Sequence, residues 1–257
     1  MIASLAMYDF GPAQAANDRL WALVRDRLRA RGMAAPEWLT RGEGAYWRAW
    51  QSPDLILSQT CGYPYRARLH GHVTLVAAPV LDLPETAPGM YHSVFVARAD
   101  DPRDGLAAFQ DAPFAWNEDL SQSGWAAAAN HVAALGLRLR PALRTGGHVL
   151  SARAVAGARA DLAALDALSF ALLRDQQDPA ALALKVVART ADTPALPYIA
   201  GPGADAAAVF AALEEGIAAL APADRATLRL RGILPARAAD YLAVPNPPPP
   251  AQFGGPA

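Results

Sequence analysis

Segments with the patterns of strands and of helices alternate along nearly the whole chain, and this alternation limits the fold more than any other feature of the sequence. Residues 54–59 and 73–78 are short apolar runs typical of buried strands. Residues 13–31 carry Leu and Val at helical spacing, and residues 224–230 are predicted to form a further helix. Because such alternation is typical of sheets covered by helices, the sequence predicts an α/β fold.

Proline-containing stretches at residues 84–88 and 190–194 interrupt this pattern. We expect them to form a hinge between two lobes, with a cleft in which a ligand binds. The predicted division is residues 1–85 and 190–244 for lobe 1, residues 86–189 for lobe 2, and residues 245–257 for a proline-rich disordered tail.

Charge and composition exclude several classes of function. The chain has 23 basic and 24 acidic residues, so no basic surplus is left for nucleic acid or an anionic membrane surface. Its apolar runs fall far short of the ~20 residues that span a bilayer. Cys61 is the only cysteine, and His70 and His72 have no evident third ligand. We therefore expect no nucleic-acid partner, no membrane insertion, no metal and no cofactor.

Three loops each follow a predicted strand, precede a predicted helix and carry hydroxyl or histidine side chains. They are residues 58–64, 121–125 and 145–148. A helix N-terminus exposes unpaired N–H groups and partial positive charge, so such loops form an anion site without lysine. That matters here because Lys185 is the only lysine. The alternatives are that the serines only cap helices, that the histidine bonds to backbone, and that residues 58–64 form an ordinary turn.

Aromatic hydroxyls and one carboxylate complete the set of candidates. Tyr8, Tyr46 and Tyr91 each offer an O–H donor and a flat wall to a ligand, although a place in the core or at its rim is the commoner role of a single tyrosine. Asp166 begins a predicted helix. It serves there either as an N-cap or as a carboxylate for a ligand's amino group or for His148.

In chain order these motifs resemble those of the substrate-binding proteins of phosphate, phosphite and phosphonate ABC importers, over roughly residues 4–198. The resemblance rests on Gly-x-Tyr-x-Ser at residues 89–93, on Ser-x-Ser-Gly at residues 121–124, and on a Gly-His pair followed by Ala154-Val155-Ala156. It implies a two-lobe type II periplasmic-binding-protein-like fold, with two mixed sheets flanked by helices and a hinge. The ligand contacts that it implies are Tyr46, Tyr91, Ser121, Gln122, Ser123, Gly124 and His148, with Ser58, Thr60, Tyr8 and Asp166 as further candidates.

The resemblance implies a solute-binding protein, not an enzyme, that captures phosphonate, phosphite or phosphate for an ABC importer. We expect a monomer whose partners are this small oxyanion and a transporter permease. Residues 1–9 lack the basic start of a secretory signal. The expected location is therefore the cytoplasm if the sequence is complete, and the periplasm by family resemblance.

The main alternative is a cytoplasmic enzyme on the same fold, similar to some enzymes of the menaquinone pathway. His148, with Asp166, would then act as a general base on a small carboxylate metabolite. A serine hydrolase is a further alternative, because Ser123, His148 and Asp166 supply the residue types of a triad. The chain lacks the Gly-x-Ser-x-Gly turn that presents such a nucleophile.

Overall fold

The computed structural model describes residues 1–253, which form two compact units. Unit 1 comprises Met1–Met90 and Pro194–Ala243, and unit 2 comprises Tyr91–Thr193 and the chain from Val244 onward. Each unit has a five-stranded sheet that combines parallel and antiparallel pairs. The α/β class and the two mixed sheets predicted from the sequence are thus confirmed.

The elements are short. The strands are β1 (Ile2–Ser4), β2 (Leu55–Gln59), β3 (Thr74–Leu81), β4 (Met90–Tyr91), β5 (Ser93–Arg98), β6 (Pro113–Trp116), β7 (Arg140–Arg144), β8 (Leu162–Asp166), β9 (Leu184–Arg189), β10 (Thr193–Pro194), β11 (Tyr198–Ala200) and β12 (Leu230–Pro235). The α-helices are α1 (Ala13–Ala30), α2 (Trp47–Trp50), α3 (Gly62–Pro64), α4 (Ala127–Ala134), α5 (His148–Ala156), α6 (Ala167–Asp175), α7 (Pro179–Leu182), α8 (Ala206–Ala219), α9 (Pro222–Thr227) and α10 (Ala238–Leu242). π-Helical turns span Tyr65–Leu69 and Gln122–Ala126, and 3₁₀ turns span Ala6–Tyr8, Gly42–Ala45, Leu106–Phe109 and Pro250–Gln252.

Unit 1 is built on a sheet of order β1-β2-β11-β3-β12. Strands β1 and β2 run parallel, whereas β11 is antiparallel to both β2 and β3. Helix α1 buries the apolar stripe predicted from its spacing, including Leu20, Val24 and Leu28. It packs closely on α8, because a Cβ atom added to Gly216 would lie 2.6 Å from Cγ2 of Val24.

Unit 2 is built on a sheet of order β7-β6-β8-β5-β9. Strand β6 lies between β7 and β8 and runs parallel to both, whereas β5 is antiparallel to β8 and β9. The carboxyl ends of β6, β7 and β8 therefore lie at the same edge of the sheet. In open α/β sheets, ligands bind outside the carboxyl ends of the parallel strands.

The helix predicted over residues 224–230 overlaps α9 for most of its length, but the strand that follows it was not predicted. Helix α9 ends at Thr227, and β12 begins at Leu230 and pairs antiparallel with β3. Leu230 and Ile233 are buried in this strand. Pairing with β3, which is distant in sequence, decides the state of this strand, so local patterning did not predict it.

The proline-rich segment also differs from its prediction as a disordered tail. Its backbone carbonyls accept hydrogen bonds from unit 2: Trp125 Nε1 donates to Pro248 at 3.1 Å, and Asn130 Nδ2 donates to Pro245 at 3.0 Å. The ring of Phe253 packs edge-on against Trp125 at 5.1 Å between centroids. Proline lacks an N–H but keeps a carbonyl acceptor, so such a segment can still dock. Residues 254–257 of that prediction lie outside the described residues.

Across the described part of the chain, the helices are all too short or too polar to cross a lipid bilayer.

Candidate functional site

Three loops of unit 2 follow the parallel strands and open helices at one edge of the sheet. The chain leaves β6 and enters a π-helical turn capped by Ser121. After β7 it reaches Gly147, the N-cap of α5, and β8 ends at Asp166, the N-cap of α6. Helix N-termini carry partial positive charge and unpaired N–H groups. The fold thus gathers three of them where the parallel strands end.

Ser123 and His148 come together from two of these loops. Ser123 Oγ lies 2.8 Å from His148 Nε2. The Ser123 backbone is held in turn by Ser93, whose hydroxyl donates to the Ser123 carbonyl at 3.0 Å. A hydroxyl and an imidazole predicted separately as ligand contacts therefore form one hydrogen-bonded pair.

Ser121 and Gly124 shape the loop that carries Ser123. The Ser121 hydroxyl accepts a hydrogen bond from the Gly124 amide at 2.9 Å, so Ser121 caps the helix as its alternative interpretation stated. The capping hydroxyl still has its own hydrogen to donate. Gly124 cannot carry a side chain without movement, because an added Cβ would lie 1.9 Å from Asn117 Oδ1. Gln122 is buried beside them in the same turn.

His148 is neutral at neutral pH. Its side chain is partly exposed as a whole, but its Nδ1 is buried and has no hydrogen-bond partner among residues 1–253. Burial lowers the pKa of His148 to about 4. A neutral imidazole donates from one nitrogen and accepts at the other. The ring therefore offers a dipole and one hydrogen, not a positive charge.

Asn117 belongs to the same cluster and was missed by the sequence analysis. It directly follows β6, is 8% exposed, and places Nδ2 3.4 Å from His148 Nε2. Its backbone carbonyl accepts a hydrogen bond from Gly146 at 2.9 Å, which ties the loop after β6 to the loop after β7. The available signal was an amide at the carboxyl end of a predicted strand, where functional groups gather in α/β sheets.

Asp166 is buried and caps α6, accepting a hydrogen bond from the Ser169 amide at 2.8 Å. Tyr91 is also fully buried, at the end of β4. A ligand contact by either residue stays a prediction.

The remaining candidates lie in unit 1, where the structure gives each a neighbour or a buried place. Ser58 is fully buried, and its hydroxyl accepts from Trp50 Nε1 at 3.2 Å. Thr60 is likewise buried, and Tyr8 is nearly so. Tyr46 is 42% exposed, and its hydroxyl donates to the Ala6 carbonyl at 3.1 Å. Their roles as ligand contacts stay predictions.

The residues that the structure describes include no group of three or more His, Cys, Asp or Glu side chains placed to hold a metal ion. His70 instead lies with its Nδ1 3.3 Å from the Tyr65 hydroxyl.

A protein-family model matches residues 52–241, and its description is "ABC transporter, phosphonate, periplasmic substrate-binding protein". The matched range includes the strands and loops that form the unit 2 site. A comparison with curated proteins gave no match.

Several solved structures share the fold. A binding protein component of an ABC phosphonate transporter from Pseudomonas aeruginosa has a TM-score of 0.71 at 18% identity, over 94% of this chain and 82% of that one. PhnD1 from Prochlorococcus marinus, in complex with methylphosphonate, has a TM-score of 0.70 at 15% identity, over 93% and 94%. MatC from Rhodopseudomonas palustris, with bound malate, has a TM-score of 0.61 at 16% identity, over 92% and 90%.

These neighbours confirm the predicted two-lobe periplasmic-binding-protein fold class. At such low identities they show the fold alone. Because one neighbour holds a phosphonate and another a dicarboxylate, the fold does not choose between these ligand chemistries.

Proposed function

Because the chain belongs to the family of periplasmic substrate-binding proteins of phosphonate ABC transporters, we propose that it binds a small phosphorus oxyanion at the loops of unit 2. The family consists of binding proteins, so the alternative of an enzyme on the same fold is not the function of this chain. The ligand class, its contacts and a permease partner are the parts that we propose.

One observation supports this proposal most directly: Ser123 Oγ and His148 Nε2 lie 2.8 Å apart at the sheet edge where three helices begin. Phosphate-like groups bind at helix N-termini because backbone N–H groups and the helix dipole both favour negative charge. The Ser121 and Ser123 hydroxyls add donors, and the absence of a side chain at Gly124 leaves room for Asn117 beside them.

The neutrality of His148 also favours binding over catalysis. A base with a pKa of about 4 is a poor proton acceptor at neutral pH. A neutral donor remains useful to an oxyanion, because hydrogen bonds to a charged acceptor are about twice as strong as those between neutral groups. We propose that Tyr91 adds a hydroxyl contact, as the family resemblance implies.

Isothermal titration calorimetry tests the ligand class. The panel is phosphate, phosphite, methylphosphonate and 2-aminoethylphosphonate, with malate as the carboxylate control. We expect a dissociation constant in or below the micromolar range for at least one phosphorus oxyanion, and no binding of malate. Binding of malate alone, or of no member of the panel, would contradict the proposal.

A serine substitution tests the site. Ser123→Ala should weaken binding by about 1.5–3 kcal/mol, because it removes a hydrogen bond to a charged group. Ser52→Ala is the matched control, since Ser52 lies in unit 1 and its hydroxyl accepts a hydrogen bond from the Asp54 amide. Equal affinities of wild type and Ser123→Ala would leave Ser123 as a structural residue only.

A further inference from the structure

A small hydrogen-bonded network surrounds His148 Nε2 and contains more donors than this atom can accept from. Its other members are Asn117 and Ser123. His148 Nε2 has the Ser123 hydroxyl at 2.8 Å and the Asn117 amide nitrogen at 3.4 Å. An amide nitrogen can only donate, so Nε2 accepts and the ring proton belongs on Nδ1. Nδ1 has no acceptor among residues 1–253, so its hydrogen is the one that His148 has left to offer a ligand. The imidazole nitrogen has one lone pair, and two donors face it.

The orientation of the Asn117 amide follows from its other neighbour. Asn117 Oδ1 lies against Gly124, where an added Cβ would be only 1.9 Å away. An oxygen in that place can accept a weak Cα–H···O contact, whereas an NH₂ group would have nothing to donate to. The oxygen therefore faces Gly124, and the NH₂ group faces His148.

Ser123 has only one hydrogen to give. When its hydroxyl donates to His148 Nε2, the oxygen can only accept from a ligand, which is the wrong polarity for an oxyanion. If the hydroxyl turns to a bound oxyanion, Nε2 needs another donor, because a polar atom left unpaired in a buried site costs free energy. Asn117 is already in place to supply it.

We propose that Asn117 is a positioning residue that keeps His148 in the tautomer with the proton on Nδ1 and replaces Ser123 as the donor to Nε2 when Ser123 turns its hydroxyl to the ligand. This inference rests on the proposed function, because it assigns a role at the same site. It predicts that Asn117 contributes to affinity without touching the ligand.

Nitrogen-15 NMR of histidine-labelled protein tests the tautomer in the free protein. The chain has five histidines, and the His148 signals are identified by their loss in His148→Gln. In wild type we expect the shifts of a ring protonated on Nδ1, both free and with methylphosphonate. In Asn117→Asp, an isosteric side chain that only accepts, we expect Nε2 to gain a proton. Wild type protonated on Nε2, or an unchanged pattern in Asn117→Asp, would overturn the inference.

A double-mutant cycle tests the exchange of donors. Asn117→Leu, which cannot donate, should weaken methylphosphonate binding about tenfold in the wild-type background. In the Ser123→Ala background the same substitution should change affinity less than about twofold, since no hydroxyl is left to release. A purely structural role would give the same loss in both backgrounds, and that result would refute the exchange.

The NMR experiment and the double-mutant cycle together distinguish a failure of this inference from a failure of the proposed function. If wild type binds no phosphorus oxyanion, the proposed function fails, while the NMR pattern of the free protein still decides whether Asn117 sets the tautomer. If binding is seen but the cycle is additive, the inference fails and the proposed function stands. Should Asn117→Leu not fold, the NMR comparison of wild type with Asn117→Asp decides the matter.

Discussion

At the scale of single residues, Gly124 is the position where the site tolerates least change. Alanine there would bring Cβ to 1.9 Å from Asn117 Oδ1, so the Asn117 side chain would have to leave its place beside His148. We expect Gly124→Ala to lower ligand affinity at least about tenfold, a loss of about 1.4 kcal/mol, with calorimetry as the measurement. Gly232→Ala is the control, because an added Cβ there meets nothing within 4 Å and the residue lies in unit 1. Equal losses in both variants would contradict the steric explanation.

His148 should give the protein a pH-dependent stability. The unfolded chain takes up a proton near the ordinary histidine pKa of 6.5, whereas the folded protein does so near pH 4 because the ring is buried. The contribution of neutral His148 to the free energy of unfolding is therefore present above about pH 6.5. It is lost as the pH falls from about 6.5 to about 4.

Urea unfolding at several pH values measures this effect. Between about pH 7 and pH 5, the free energy of unfolding of wild type should fall by about 1–2 kcal/mol more than that of His148→Gln. Burial also lowers the pKa of His131, but that residue is present in both proteins and cancels in the difference. If the free energy of unfolding fell equally with pH in both proteins, burial would not lower the pKa of His148, which would contradict this prediction.

How far the sequence predicts the site depends on the kind of contact. Ser123 and His148 stand in short motifs at helix starts, so their chemistry could be inferred without coordinates. The 3.4 Å contact of Asn117 with His148 crosses two loops and depends on the register of parallel strands, which no local pattern encodes. Ser58 depends on a partner from another element in the same way: Trp50, from a separate helix, donates to its hydroxyl at 3.2 Å, and the ligand contact predicted for Ser58 stays a prediction.

At the scale of elements, the packing of α1 on α8 in unit 1 should be sensitive to added side-chain volume. A Cβ atom on Gly216 would lie 2.6 Å from Val24 Cγ2, and the α1 backbone lies just behind it. Gly216→Ala should therefore destabilise the protein by about 1–3 kcal/mol, although alanine favours helix. Gly232→Ala is the control, since its added Cβ meets nothing within 4 Å. Urea unfolding that showed Gly216→Ala to be as stable as wild type would contradict this packing.

Long periodic elements were predictable and short ones were not. The stripe of α1 runs through five turns of helix, and its prediction over residues 13–31 agrees with Ala13–Ala30. Strand β12 has six residues whose partner, β3, is far away in sequence. Its state is decided by that partner, so local spacing predicted no strand there.

At the scale of the whole molecule, neither unit is built from one continuous stretch. Unit 2 includes the chain from Val244 onward. Within it, Pro248 accepts a hydrogen bond from Trp125, and the ring of Phe253 packs against the same side chain. A variant that ends at Ala243 should destabilise unit 2 by on the order of 2 kcal/mol, because apolar surface on Trp125 becomes exposed. Unit 1 loses no residue by this change.

Native-state hydrogen exchange measures the effect unit by unit. Amides of β6 and β8 should lose protection in the shortened variant, whereas those of β2 and β3 should keep it. The full chain is the reference. Loss of protection confined to unit 1 would contradict the assignment of this segment to unit 2.

The interleaved order of the two units also bears on how the protein is made. A ribosome that has released residues 1–193 has delivered only the first stretch of unit 1 and the larger stretch of unit 2, each still lacking a part. Unit 1 therefore cannot be completed before residues 194–243 have emerged, after the main stretch of unit 2. Unit 2 gains its last contacts, those of Pro248 and Phe253 with Trp125, later still.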